Sequence, residues 1–150
     1  MGKSIIIYGS TAGNTEFLAY TILQHLRNAN RDVVIKNVID VVPGELHQYD
    51  ELILGCSTWE NGSMQTDFGR LYKSMLFMSF DGKRFALFGR GRRAYGHFCQ
   101  ALDTLENALS ERGAQEIMPS LKIDGDAAQF EHEIREWSHS VADALAEAHR

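Results

Sequence analysis

Cysteine is scarce in this chain of 150 residues: Cys56 and Cys99 are the only two, and they form no Cys-x-x-Cys pair. This scarcity excludes a disulfide framework and a structural zinc site, and it is typical of a reducing compartment. Long apolar runs are missing too, because the first one stops at Gly9, too soon for a signal peptide or a membrane-spanning segment. We therefore expect a cytoplasmic protein.

An excess of positive charge is also absent. The formal net charge is -5 at pH 7, which argues against nucleic acid or an anionic membrane as the main partner. Hydrophobic residues make up 44% of the chain and charged residues 23%, as in ordinary globular proteins, and no repeat interrupts them. A chain of this length buries most of its apolar surface without the help of disulfides or metals. We therefore expect residues 1–150 to form one domain.

Apolar runs alternate with amphipathic patterns along the chain. The runs predict strands at residues 4–8, 33–38, 51–56 and 84–89, with weaker ones near 116–118 and 121–123. Apolar residues at helical spacing predict four helices, the last over about residues 127–146. The side chains expected to face inward are Phe17, Leu18, Ile22 and Leu26, then Phe68, Leu71, Tyr72 and Met75, then Phe98, Leu102, Leu105 and Leu109, and finally Phe130, Ile134, Trp137, Val141 and Leu145. This order predicts an α/β fold: a three-layer, doubly wound, five-stranded parallel sheet.

Ligands of such sheets bind outside the carboxyl ends of the strands, and the loop after the first strand carries phosphate-binding chemistry there. The segment Ser10-Thr11-Ala12-Gly13-Asn14-Thr15 offers three hydroxyls, an amide and a glycine at a predicted helix N-terminus. It lacks the Gly-Lys pair that a nucleoside triphosphate loop needs, so a monophosphate ester fits better. The alternative is a plain capped turn.

Aromatic residues follow two other strands. Trp59 comes just past a strand end, after the hydroxyls of Ser57 and Thr58, and Tyr95 lies in the loop of residues 90–97. Two aromatic rings on separate loops can enclose one planar ligand. The alternative for Trp59 is a side chain that simply covers the edge of the sheet.

Four segments together resemble the short-chain flavodoxins, and the type from sulfate reducers looks closest. They are Tyr8-Gly-Ser-Thr-Ala-Gly-Asn-Thr-Glu16, Leu54-Gly-Cys-Ser-Thr-Trp59, Tyr95 with Phe98-Cys99, and Leu121-Lys-Ile-Asp-Gly-Asp126. The resemblance implies a small electron carrier, not an enzyme, that cycles noncovalently bound FMN between oxidised, semiquinone and hydroquinone states. It also implies redox protein partners and a monomer.

The resemblance assigns roles by position. It implies that Ser10, Thr11, Asn14 and Thr15 hold the phosphate with help from Ser57 and Thr58, that Trp59 and Tyr95 flank the isoalloxazine, and that backbone groups of Gly91, Arg92 and Cys99 bind its pyrimidine edge. The full set of predicted cofactor-binding residues is Ser10, Thr11, Ala12, Gly13, Asn14, Thr15, Ser57, Thr58, Trp59, Glu60, Asn61, Gly62, Gly91, Arg92, Tyr95, His97, Phe98 and Cys99. No metal site is expected.

The residue after the tryptophan departs from the family pattern. The family usually has a glycine there, whose carbonyl accepts a hydrogen bond from flavin N5 after a peptide flip, whereas this chain has Glu60. A residue with a side chain resists the positive φ that such a flip can demand, at a cost of about 1 kcal/mol or more. Alternatively, Asn61 or Gly62 supplies the carbonyl that accepts this hydrogen bond. We expect weaker stabilisation of the semiquinone.

The loop after the fourth strand departs further, because it carries Arg90, Arg92 and Arg93 where the family has acidic or neutral residues. Cations beside the flavin favour the anionic hydroquinone, so we expect a raised hydroquinone potential. The alternative is a solvated run of charge that only selects a partner, one with an acidic docking face.

Other functions fit less well. Gly89-Arg-Gly-Arg-Arg-Ala94 formally matches a dinucleotide fingerprint, but too little chain follows for a second nucleotide-binding half. His132-Glu133 does not complete a zinc motif, because Glu136 stands where a second histidine is needed. Two alternatives remain within flavoproteins: a specialist reductant of one protein, such as an activator of ribonucleotide reductase, and an FMN-dependent reductase of a small molecule.

Overall fold

Strands and helices alternate in the computed structural model, which describes residues 3–9, 13–59 and 62–148. The strands are β1 (Ser4–Gly9), β2 (Val33–Asn37), β3 (Glu51–Cys56), β4 (Arg84–Gly91), β5 (Gln115–Glu116) and β6 (Leu121–Asp124). The α-helices are α1 (Asn14–Asn28), α2 (Thr66–Met75), α3 (Gln100–Glu111) and α4 (Glu131–Ala148), and 3₁₀ helices cover Val38–Asp40, Pro43–Gln48, Arg93–Tyr95 and Ala127–Phe130. No helix in the described ranges is long and apolar enough to cross a membrane.

The strands form one parallel sheet in the order β2-β1-β3-β4, and β5 and β6 share the last position because both pair with β4. The predicted doubly wound α/β sheet is confirmed. From β1 the chain moves to β2 on one side and later to β3 on the other, so the order reverses between β1 and β3. A crevice is expected at the carboxyl ends of these two strands.

Both faces of the sheet are covered, which explains the continuous apolar runs. Ile5 and Ile7 of β1 face one core together with residues of α2 and α3, whereas Ile6 and Tyr8 face the other core together with residues of α1 and α4. All six residues of β1 are buried. Successive side chains of β1 therefore point alternately into the two cores, and none of them points into water.

The predicted bounds hold for β3, and β4 continues two residues beyond the prediction, to Gly91. The strand predicted over 33–38 ends at Asn37, because the side chain of Asn37 accepts a hydrogen bond from the Ile39 N–H and begins a 3₁₀ turn. The helix predicted from about residue 127 begins as the 3₁₀ helix Ala127–Phe130 and becomes α4 only at Glu131.

One predicted core position is wrong. Phe17 is 51% exposed, because Leu18 and Ala19 turn towards the sheet and the helix rotates about 100° per residue, which carries Phe17 to the outside. Phe98 lies in the loop before α3, which begins at Gln100, and it is partly buried and packs against the core.

Space for one core aromatic residue comes from a glycine in the middle of the sheet. A Cβ atom on Gly55 would lie 2.1 Å from Cε2 of Phe88, a fully buried ring on the neighbouring strand β4. Any side chain at position 55 would therefore displace that ring.

We expect Gly55→Ala to lower the free energy of unfolding by about 1–3 kcal/mol, as overpacked cores do. Urea unfolding followed by circular dichroism measures it. Gly44→Ala is the matched control, because a Cβ atom there meets no heavy atom within 4 Å. Equal stability of the two variants would contradict the role given to Gly55.

A carboxyl pair joins α3 to β5. Burial, a hydrogen bond with Glu106 and the charge of Glu106 raise the pKa of Glu116 to about 7, and Lys122 opposes this shift. A carboxyl whose pKa is higher in the folded than in the unfolded chain stabilises the fold at low pH. That stabilisation is lost as the pH rises from about 4.5 towards 7.

The melting temperature should therefore fall between about pH 5 and pH 8, and Glu116→Gln should flatten this profile because the amide carries no proton to lose. Thermal unfolding at several pH values tests this. Glu111→Gln, at the exposed last residue of α3, removes an equal charge and should leave the slope of the wild-type profile intact.

Candidate functional site

The carboxyl ends of the strands bring four loops to one edge of the sheet. Gly9 at the end of β1 pairs with Cys56 at the end of β3, and Gly91 at the end of β4 pairs with Asp124 at the end of β6. Sequence reasoning identified the loops after β1, β3 and β4. It used the segment of residues 121–126 for the resemblance but gave the turn after β6 no place in the site, although the Asp124-Gly125 dipeptide at the end of a strand is a turn signal.

The start of α1 contacts the loop after β3. Gly13 precedes the helix with φ 84°, and its carbonyl accepts a hydrogen bond from the Phe17 N–H at 3.0 Å. Thr15 is fully buried, and its Oγ1 lies 2.7 Å from Oγ of Ser57. A helix N-terminus and two hydroxyls suit a phosphate group. Ser10, Thr11 and Ala12, predicted as phosphate-binding residues, lie outside the described residues.

The loop after β3 is a tight hairpin, which sequence reasoning did not predict. Thr58 and Met64 form an antiparallel bridge. The Trp59 N–H donates to the Ser63 carbonyl at 2.7 Å, and the Gly62 N–H donates to the Trp59 carbonyl at 2.9 Å. Gly62 has φ 87°, in the region that glycine favours. Glu60 and Asn61, between these partners, lie outside the described residues.

The hairpin holds Trp59 at the surface, where its side chain is 42% exposed. A large aromatic ring left partly in water at the edge of the sheet offers a face for a planar ligand. The prediction that Trp59 stacks on the isoalloxazine remains a prediction. Tyr95, its expected counterpart, lies at the end of the 3₁₀ helix Arg93–Tyr95, and its side chain is outside the described residues.

Thr58 has a structural task at the base of the hairpin. Its backbone N–H donates to the Arg90 carbonyl at 3.1 Å, and its Oγ1 accepts a hydrogen bond from the Ala101 N–H in the first turn of α3 at 3.0 Å. Thr58 therefore joins the loop after β3 to β4 and to α3. Only its hydroxyl proton is left for the predicted contact with a phosphate.

The end of β4 approaches the start of α3 closely. A Cβ atom on Gly91 would lie 3.0 Å from the backbone N of Cys99, which has φ 52°. Nδ1 of His97 lies 2.8 Å from Oε1 of Gln100, and a Cβ atom on Gly62 would lie 3.2 Å from Cγ of His97. The loops after β3 and β4 are thus in contact at His97.

The two thiols near this edge are buried and unreactive. Burial raises the pKa of the Cys99 thiol to about 11, although Lys122 acts in the opposite direction, and burial also raises the pKa of Cys56. A thiol, and not the nucleophilic thiolate, is present at neutral pH. Neither cysteine serves as a nucleophile here.

The three arginines of the loop after β4 have different surroundings. Arg90 is half-buried, and its Nε donates to the Gly125 carbonyl at 2.7 Å. Arg93 pairs with Asp124, with 3.8 Å between Nε and Oδ2, and its guanidinium carbon lies 4.1 Å from the centre of the Phe98 ring. Arg92 is exposed, and the described residues place no carboxylate within 4 Å of it. Among the described residues, the predicted cluster thus contains one guanidinium paired with a carboxylate, one bonded to a backbone carbonyl and one without a carboxylate within 4 Å.

These features fit flavin mononucleotide. The start of α1 with Thr15 and Ser57 matches a phosphate ester, and Trp59 matches a planar ring. Gly91 lets the end of β4 approach without a side chain in the way. The described residues thus include groups suited to the phosphate and groups suited to the ring of the cofactor.

Comparison with known proteins agrees with this chemistry. A family model described as Flavodoxin matches residues 6–137. The flavodoxin of Maridesulfovibrio salexigens is 43% identical over 148 residues, with 97% of this chain and all 100% of that protein covered. The flavodoxin of Nitratidesulfovibrio vulgaris is 37% identical, with the same coverage of 97% and 100%.

Solved structures are similar as well. Oxidised Flavodoxin 2 from Bacillus cereus is 34% identical with a TM-score of 0.86, and 97% of this chain and 99% of that chain are covered. The flavodoxin of Fusobacterium nucleatum bound to flavin mononucleotide has a TM-score of 0.83 at 19% identity, with 95% and 98% covered, which is a likeness of fold.

Gly91→Ala tests the close approach at the end of β4. The methyl group would push Cys99 away by a few tenths of an ångström, so we expect the dissociation constant for FMN to rise about tenfold, or about 1.4 kcal/mol. Calorimetric titration of the apoprotein with FMN measures it. Gly69→Ala on α2, where a Cβ atom makes an ordinary 3.7 Å contact, should bind FMN as the wild type does. A variant at position 91 with unchanged affinity would rule this role out.

Proposed function

The chain belongs to the flavodoxin family, and we propose that it serves as a one-domain carrier in which the loop after β4 sets the flavin potentials. It is an FMN-binding electron-transfer protein, and flavodoxins are in general electron carriers that deliver electrons to redox partner proteins. The bound flavin supplies the electron chemistry, and the chain supplies binding, orientation and electrostatics.

The phosphate end of the proposed site is built from hydroxyls and backbone, and the Glu16 carboxylate in the first turn of α1 accepts a hydrogen bond from the Tyr8 hydroxyl. Ser10, Thr11, Asn14 and Thr15 hold the phosphate together with Ser57. Support comes from the contact of 2.7 Å between the hydroxyls of Thr15 and Ser57 at the start of α1. The dipole of a helix N-terminus favours an anion without a formal charge from the protein.

The ring end of the proposed site is formed by the other loops. Trp59 and Tyr95 flank the isoalloxazine, and backbone groups of Gly91, Arg92 and Cys99 meet its pyrimidine edge. The remaining proposed contacts are Ala12, Gly13, Thr58, Glu60, Asn61, Gly62, His97 and Phe98. The exposed ring of Trp59 and the bare backbone of Gly91 support this arrangement.

The observation that carries the proposal is the exposed guanidinium of Arg92, one residue past Gly91, which has no carboxylate within 4 Å among the described residues. A unit charge about 7 Å from the ring is worth roughly 2 kcal/mol at an effective dielectric constant near 20, and less with solvent screening. Asp124 offsets much of the Arg93 charge, whereas nothing comparable offsets Arg92 among the described residues. The potential for the second electron of the flavin is therefore higher than it would be with acidic residues in the loop after β4.

The first potential is proposed to lie unusually close to the second one. Support comes from the hairpin, where the Trp59 carbonyl already accepts the Gly62 N–H and where position 60 is a glutamate. A backbone that resists positive φ there gives little extra stabilisation to the flavin after its first electron.

The partner that fits the loop after β4 has an acidic docking face. The charge of Arg92 is exposed, and Arg93 has a side chain that is 71% exposed beside Asp124. Complementary charge favours encounter with such a partner and disfavours a basic one. The cytoplasm is the proposed location, supported by two free and buried thiols.

Arg92→Gln should lower the second midpoint potential by tens of millivolts at low ionic strength, since about 59 mV corresponds to 1.4 kcal/mol for one electron. An anaerobic redox titration of the FMN-loaded protein, followed by visible absorption, measures both potentials. The shift should shrink at high salt, because the side chain is exposed. Arg70→Gln removes an exposed charge on α2, where Arg70 pairs with Asp67, and is the control. Unchanged potentials of the Arg92 variant at low salt would refute the proposal.

A further inference from the structure

The turn after β6 contacts the loop after β4 through one carboxylate. Oδ1 of Asp124 accepts a hydrogen bond from the backbone N–H of Arg93 at 3.3 Å, and its Oδ2 lies 3.8 Å from Nε of the same residue. The guanidinium of Arg93 in turn lies over the ring of Phe98, 4.1 Å from its centre. Asp124, Arg93 and Phe98 thus connect the turn with both ends of the loop of residues 92–98.

The next residue of the turn fixes the strand end from which this loop departs. The Gly125 N–H donates to the Gly91 carbonyl at 3.0 Å, and the Gly125 carbonyl accepts from Nε of Arg90 at 2.7 Å. Gly125 has φ 92°, a conformation that side chains disfavour. The end of β4 is therefore held by the backbone of Gly125, whereas the hydrogen bond and the ion pair that the described residues show between residues 92–98 and β6 both use Asp124.

From these contacts we infer that Asp124 is a positioning residue for FMN, which rests on the proposed function: through Arg93 it orders the loop of residues 92–98 for contact with the flavin. Without the carboxylate, the Arg93 N–H and guanidinium lose their common partner. The loop then has to be ordered when FMN binds, and this entropic cost lowers the affinity.

Geometry, and not net charge, is what this role requires. The side chains of Arg93 and Asp124 are 71% and 41% exposed, so water screens their attraction. The planar guanidinium can stack on Phe98 while it faces the carboxylate, and a lysine ammonium has the same charge without the planar fork. Arg93→Lys therefore separates positioning from charge.

Calorimetric titration of apoprotein variants with FMN tests the inference. Asp124→Ala, Arg93→Gln and Arg93→Lys should each raise the dissociation constant by up to about fivefold, the scale of an exposed charge pair. The double variant Asp124→Ala with Arg93→Gln should bind no more weakly than either single variant, because both remove one shared interaction. Asp126→Asn is the control for net charge, since it removes the same charge and an asparagine can still accept from the Ala128 N–H.

Wild-type affinity of Arg93→Lys beside a weakened Asp124→Ala would overturn the inference, and so would multiplied losses in the double variant. Visible circular dichroism of the bound flavin is the second readout and should change in Asp124→Ala but not in Asp126→Asn. The melting temperature of each apoprotein should stay at the wild-type value. A wild-type protein that fails to bind FMN would refute the proposed function itself, whereas wild-type binding by every variant would refute only the role of Asp124.

Discussion

The candidate site depends on the parallel pairing of β4 with β3 on one side and with β6 on the other. Register places Gly55 of β3 opposite Phe88 and Gly91 opposite Asp124. Because Gly55 has no side chain, the Phe88 ring lies over it on the face of the sheet that α1 and α4 cover. The same pairing brings the hairpin after β3 and the turn after β6 to the two sides of the loop after β4. The order of the strands in the sheet therefore determines which loops form the site.

In the proposed site, binding and tuning are divided between different parts of this edge. The phosphate end uses hydroxyls, amides and a helix N-terminus, and the ring end carries the arginines. Arg93 pairs with a carboxylate, Arg90 donates to a carbonyl that leaves its charge unbalanced, and Arg92 has no carboxylate within 4 Å among the described residues. We therefore expect the three arginines to act differently on the flavin.

The sequence predicted the fold and three of the four loops, because continuous apolar runs and helical spacing reflect burial on both faces of a sheet. It misplaced Phe17, because an aromatic residue next to a helical stripe looks apolar whether or not it faces the core. It missed Asp124, because the value of that carboxylate depends on Arg93, 31 positions away in the chain. The hairpin after β3 was missed because the residues that its bridge joins, Thr58 and Met64, do not lie in segments with a strand pattern.

The central claim is that the start of α1, with Thr15 and Ser57, binds the phosphate of FMN and so anchors the cofactor. Equilibrium titration of the wild-type apoprotein with FMN and with riboflavin, which lacks the phosphate, tests it most directly. The account predicts one FMN per chain and binding of riboflavin at least about tenfold weaker, since a charge-assisted hydrogen bond is worth about 1.5–3 kcal/mol. Equal affinity for the two flavins, or no uptake of FMN, would contradict it.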